Sequence, residues 1–196
     1  MKILIINDDG VHSRGIIELA ALARQHAEVF VVAPSVEQSG VSQAITFLSP
    51  LTPVKLKGGA GSDNGKGEQE KSLLGYKVNG TPVDCLKLAM SELCPWKPDL
   101  VLSGINGGLN AGINVCHSGT VGGALAAATF DLPSIAISLE GNLKWMDYKK
   151  AALVAWPLIE KFSKLELPPK CVVNINIPTV ALSADPDKIE VAYVPV

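Results

Sequence analysis

The chain has 196 residues, 47% of them hydrophobic, with a formal net charge of −2 and a pI near 5.9. That length fills one domain core, and the weak acidic balance offers no electrostatic footprint for a nucleic-acid polymer or an anionic membrane. The four cysteines, Cys85, Cys94, Cys116 and Cys171, lack C-x-x-C spacing and small-domain density, which predicts reduced and mostly buried thiols.

In chain order, KILII (2–6) and EVFVVA (28–33) read as near-continuous apolar strands. Between them GIIELAALARQH carries apolar residues at helical spacing. Only the run at 3–6 precedes the first carboxylates, too short for a signal-peptide core, and no apolar run approaches the ~18 residues of a membrane span. A cytoplasmic protein is expected. ITFLSPLTPVKLK and LLGYKVNG read as extended or hairpin arms around residues 58–72, GGAGSDNGKGEQEKS, an exposed mobile loop by composition. TPVDCLKLAMSELC predicts a helix with Thr81 as N-cap, Pro82 at its first position and Asp84 three residues after the cap. The strand DLVLSGIN follows, then the helix SGTVGGALAAATF and the strand PSIAIS. KKAALVAWPLIEKF predicts a further helix, kinked or divided at Pro157, before the strand VVNINIP. DKIEVAYVPV reads as a final strand. Alternating strands and helices predict a Rossmann-like, doubly wound, mainly parallel α/β sheet with helices on both faces and a small hairpin appendage, in a single domain over residues 1–196.

In such sheets the ligand crevice lies beyond the carboxyl ends of the strands, so the loops there carry the chemistry. Asn7-Asp8-Asp9-Gly10 is good turn chemistry. Two adjacent carboxylates at a strand end nevertheless repel unless a cation neutralises them, and hard divalent ions such as Mg²⁺ or Mn²⁺ take one or two carboxylates plus neutral oxygens. Both readings stand on the residues alone. In APSVEQSG, Ser39 and Gly40 either cap the next segment or offer a hydroxyl ligand and a close backbone approach, with Glu37 as a solvated neighbour. SGINGGLNAGIN is an entropically expensive loop after a buried strand, suited to wrapping a ligand. Asn106 at its head presents a neutral amide oxygen. Ser118, Gly119 and Thr120 open a helix, either as a simple N-cap or as an anion site built from hydroxyls and first-turn N–H groups. His117 reads as a solvent-facing or packing imidazole ahead of a catalytic one. Neither G-x-G-x-x-G after the first strand nor G-x-x-x-x-G-K-[ST] occurs, and H-E-x-x-H and G-x-S-x-G are missing too.

NDDGVHSRGI at 7–16, PSVEQSG at 34–40, GTPVDC at 80–85, PDLVLSGIN at 98–106 and HSGTVGGA at 117–124 resemble, in order, the signature blocks of the SurE family of survival nucleotidases. The resemblance covers roughly residues 1–178. It implies a Rossmann-like phosphatase that uses one divalent metal ion per subunit, Mg²⁺ or Mn²⁺, on nucleoside 5′- and 3′-monophosphates and also on short polyphosphates. By matching positions, Asp8, Asp9, Ser39 and Asn106 would hold the metal, and Asp9 or Asp8 would handle the proton of the attacking water. Gly40, Asn106, Gly107, Ser118, Gly119 and Thr120 would hold the phosphoryl group. The resemblance also implies a homodimer or a dimer of dimers, and a C-terminal extension that this sequence does not contain. His117 stands where the family usually has Tyr, and Ile113 and Asn114 where acidic residues are common. Two other classes fit the residues: a non-catalytic nucleotide- or metal-binding module, and a nucleotide-sugar transferase with a carboxylate-bound metal.

Overall fold

A computed structural model describes residues 1–56, 73–141, 146–165, 167–184 and 189–194. Its frame is a seven-stranded sheet of β1 (Lys2–Ile6), β2 (Glu28–Pro34), β3 (Pro53–Lys55), β4 (Gly75–Val78), β5 (Leu100–Gly107), β6 (Ser134–Leu139) and β7 (Val173–Ile177). The order is β3-β4-β2-β1-β5-β6-β7, and every pairing is parallel except the β3–β4 hairpin at one edge. This is the expected doubly wound α/β fold with its hairpin appendage. Chain order reverses between β1 and β5, which makes the carboxyl end of β1 the topological switch point.

The strands are apolar throughout because both faces are covered. Ile3, Ile5, Val29, Val31, Leu102 and Ile137 pack beneath α1 (Arg14–Ala23) and α5 (Tyr148–Ser163), while Leu4, Ile6, Phe30, Val32 and Val101 pack beneath α2 (Pro82–Leu88) and α4 (Gly119–Thr129). On α1, Ile16, Leu19, Ala20 and Ala23 form the buried stripe. α4 is made of small residues buried on nearly all sides, which lets it lie close to β5 and β6. The short α3 (Asn114–His117) sits inside the long loop after β5.

The capping box before α2 forms as the sequence predicts. Thr81 Oγ1 accepts from the Asp84 N–H at 3.1 Å, and Asp84 Oδ2 accepts from the Thr81 N–H at 2.9 Å. The α-helix then gives way to a π-helical turn at Ala89–Leu93.

Several expectations are corrected. Pro157 lies inside one continuous helix and does not divide it, because α5 is held by burial of Ala151, Ala152, Ala155, Trp156 and Ile159 on the sheet. The final strand is not formed over 189–194. That segment exposes Val191, Tyr193 and Val194 and rests on α5, with Lys161 Nζ donating to Tyr193 Oη at 2.7 Å. Alternation there had no buried face to serve. Of the cysteines, all free, only Cys85 is buried, whereas Cys116, on the short α3, and Cys171, just before β7, are exposed. The loop expected over 58–72 lies outside the described residues, although its arms pair as β3 and β4.

Candidate active site

β1 carries Asn7, Asp8 and Asp9 out of the core to the switch point. Asn7 closes the turn: its Nδ2 donates to the Gly10 carbonyl and to Ser13 Oγ, both at 2.9 Å. The turn role therefore falls to the amide and leaves both carboxylates for other work.

Asp8 is only 4% exposed, and its Oδ1 accepts from Thr120 Oγ1 at 2.5 Å. The Thr120 backbone N–H also bonds it, so the carboxylate rests on the first turn of α4, where unpaired N–H groups favour negative charge. Gly119 makes the approach possible. A Cβ at that position would stand 2.8 Å from Asp8 Cβ and 2.9 Å from its Oδ2.

Asp9 is half-buried, and its Oδ2 accepts from the Gly107 N–H at 3.2 Å. Burial raises both carboxyl groups. The Thr120 bonds oppose this for Asp8, while Asp9, with Asp8 beside it as the second cause, is pushed up to about 6. The site as folded resists carrying two negative charges.

The four loops named from the sequence interlock here. Gln38 N–H donates to the Asp8 carbonyl at 2.7 Å, Val11 N–H to the Pro34 carbonyl at 2.8 Å, and Ser42 N–H to the His117 carbonyl at 3.1 Å. Direct contacts thus join Asp8 with Gly119 and Thr120, and Asp9 with Gly107. Ser39 and Gly40 are tied in through Gln38, and Ser39 Oγ donates to Glu37 Oε1 at 2.6 Å. Gly40 has a φ of 73° and nothing within 4 Å of where a Cβ would stand, so its backbone is open to a ligand. The register of β5 against β6 shifts between Ser103 and Asn106. Asn106 Nδ2 donates to the Gly108 carbonyl at 2.7 Å, which occupies the donor end of the amide and leaves Oδ1 as its acceptor.

Ser118 takes the plain capping role, its Oγ accepting from the Val121 N–H at 3.1 Å. His117 and Ile113 are exposed. A cavity of about 510 Å³ lined by Ile45, Leu51, Asp84, Lys87, Met90 and Phe130 shares no residue with this site.

Carboxylate, hydroxyl and amide oxygens on these neighbouring loops are the donor types that hard divalent cations take, and the raised carboxyl groups are what an added positive charge would relieve. Among the described residues no group of three or more His, Cys, Asp or Glu is placed to hold a metal, so a shell here needs the neutral oxygens. Reading the sequence alone missed Thr120 as the partner of Asp8, the buried Asn110, and the half-buried amides Asn174 and Asn176 behind the loop. The alternation of Asn with Val and Ile in VNINI is the signal for the last two.

Fold and site together define a doubly wound α/β protein with an acidic, oxygen-lined crevice at its switch point. A family model described as Survival protein SurE matches residues 3–194, and the chain belongs to that family. A 5′-nucleotidase SurE of Rhodopirellula baltica is 42% identical over 182 residues, 92% of this chain and 67% of that protein. One from Haemophilus influenzae is 42% identical over 178 residues, 91% of this chain and 64% of that protein. The crystal structure of the SurE protein from Aquifex aeolicus superposes with a TM-score of 0.74 at 34% identity, covering 91% of this chain and 66% of that one. The chain thus spans about two thirds of the length of the relatives it matches.

Two outcomes follow from the geometry. Gly119→Ala should displace Asp8 and lower turnover by about a hundredfold, as misplacement by an ångström does, while circular dichroism remains that of the folded chain. A carboxyl group whose pKa rises on folding, as Asp9 does from 3.8 to about 6, stabilises the fold below its unfolded pKa, and that contribution is lost as pH rises through about 6. The metal-free protein should therefore melt lower at pH 7.5 than at pH 5 in a thermal scan, and saturating Mn²⁺ should remove most of the difference.

Proposed function

We propose that this protein is a divalent-metal-dependent phosphatase that hydrolyses nucleoside 5′- and 3′-monophosphates, and short polyphosphates as a side activity, to release inorganic phosphate. The observation that carries this reading is the placement of Asp8 and Asp9 at the switch point against Gly107 and the first turn of α4, in a chain of the SurE family. Asp8, Asp9, Ser39 and Asn106 hold one Mg²⁺ or Mn²⁺ per subunit. The ion, when bound, supplies Lewis-acid polarisation of a phosphoryl oxygen and a water of lowered pKa.

The chain's own groups do the rest. Gly40, Asn106, Gly107, Ser118, Gly119 and Thr120 enclose the phosphoryl group. Ser118 has its hydroxyl proton to donate, since its capping bond uses only a lone pair. Thr120 acts through Asp8, whose orientation it sets. Donors fixed in advance stabilise charge that spreads over the equatorial oxygens. Asp9 accepts the proton of the attacking water as its oxygen bonds phosphorus in line. The ester P–O bond breaks on the opposite side, and the nucleoside oxygen takes a proton from solvent. Asp9 suits this by its place, half-buried at the end of β1 with one oxygen on the Gly107 N–H.

Ile113, Asn114 and His117 are exposed beside the phosphoryl-binding turn and tune substrate preference there. Among the described residues no helix is long and apolar enough to cross a membrane. Small nucleotides in the cytoplasm are the partners this reading names, with the chain working as a homodimer or a dimer of dimers.

The test is phosphate release from AMP and GMP with added Mg²⁺ or Mn²⁺. Wild type should turn over, whereas Asp9→Asn and the EDTA-treated enzyme should each lose at least about a hundredfold. Folded wild type that binds nucleotide yet releases no phosphate with either ion would overturn the reading.

A further inference from the structure

β7 directs Val173, Ile175 and Ile177 into the core shared with α1 and α5, so strand alternation puts Asn174 and Asn176 on its opposite face. The loop from β5 crosses that face. Register sets Asn106, Ser138 and Asn176 side by side across β5, β6 and β7. Four residues past Asn106, Asn110 is only 6% exposed and is held on every side. Its N–H donates to Asn176 Oδ1 at 2.8 Å, and its Nδ2 donates to Ser138 Oγ at 2.9 Å. Its carbonyl accepts from Asn174 Nδ2 at 2.8 Å and from Asn176 Nδ2 at 2.9 Å.

The segment between Asn106 and Asn110 contains Gly107 and Gly108, and a glycine-rich backbone loses much entropy when fixed. Its order has to come from tethers. Besides the Asn106 Nδ2 bond to the Gly108 carbonyl and the Gly107 N–H bond to Asp9, the Gly108 N–H donates to the Leu139 carbonyl at 2.9 Å, and the amide cluster at Asn110 anchors the far end. Neither the metal donors nor the phosphoryl donors use that cluster.

We propose that Asn110, Asn174, Asn176 and Ser138 are positioning residues, an amide clamp that fixes the corner at Asn106 and Gly107. It keeps Asn106 Oδ1 presented to the divalent ion and the Gly107 N–H on Asp9. The clamp rests on the reading of Asp8, Asp9, Ser39 and Asn106 as metal donors. Its action is indirect, as with groups that orient ligands without touching the metal.

The test measures Mn²⁺ binding by calorimetry on wild type, Asn176→Ala, Ser138→Ala and Ser134→Ala, with Tm and with kcat and KM for AMP at saturating Mn²⁺. Ser134 is the control, since it lies on the same strand but bonds the Ala124 carbonyl at 2.8 Å, away from the loop. Asn176→Ala should weaken Mn²⁺ binding about tenfold, with kcat falling more than KM rises, and Ser138→Ala should weaken it by a smaller factor. Ser134→Ala should lower Tm and leave Mn²⁺ affinity unchanged. Unchanged Mn²⁺ affinity in both clamp variants overturns the proposal, as does a loss in all three variants that merely follows Tm. If Asn176→Ala does not fold, Ser138→Ala decides. Wild type that releases phosphate while the clamp variants match it overturns the clamp alone. Wild type that binds no Mn²⁺ removes the metal reading and the clamp with it.

Discussion

Asp8 and Asp9 stand on consecutive residues where the central strand leaves the core, and their mutual repulsion and burial constrain everything built around them. Burial raises both carboxyl groups, so the fold has to supply compensating dipoles in the right places. It supplies the first turn of α4 to Asp8, through Thr120, and the Gly107 N–H to Asp9. Gly119 is the geometric condition for the first of these, since any Cβ there would occupy the space of the carboxylate. What remains uncompensated is charge, and an oxygen-coordinated cation is the group that matches it.

The sheet explains why these parts meet. β1 is central, β2 and β5 flank it, and the reversal of chain order opens the crevice above their carboxyl ends. Loops following β1, β2 and β5 and the start of α4 converge there although they are far apart in sequence; Thr120 is 112 residues from Asp8. Backbone bonds such as Gln38 to Asp8 and Ser42 to His117 lace the loops to one another. A site so tied presents its donors with little rearrangement during reaction, which is the condition under which fixed dipoles contribute most to catalysis.

Much of this was legible in the sequence. Unbroken apolar runs marked strands covered on both faces, and Thr81, Pro82 and Asp84 marked a helix start that the structure reproduces as a capping box. Asp8, Asp9 and Asn106 stood out because polar or charged residues at a buried strand's end need a reason, and the fold sets the two carboxylates at the switch point. Local signals failed where long-range packing decides. Pro157 is absorbed by a helix whose opposite face is well buried, and the alternating residues near Tyr193 found no sheet edge to join. Cys116 and Cys171 are exposed because the short α3 and the segment before β7 that carry them are, whatever the usual preference of the thiol. Thr120 reads locally as a helix-start residue, and only the fold turns its hydroxyl toward Asp8. Asn174 and Asn176 look like ordinary strand asparagines until Asn110 is placed over them.

The central claim is that one divalent cation resides between Asp8 and Asp9 and completes its shell with neutral oxygens. Crystals grown with Mn²⁺ and measured for its anomalous scattering test this directly. The account predicts a single strong peak within coordination distance of carboxylate oxygens of Asp8 and Asp9, Ser39 Oγ and Asn106 Oδ1. An empty crevice at saturating Mn²⁺, or a peak held by other residues while Thr120 and Gly107 keep the two carboxylates unliganded, would contradict it.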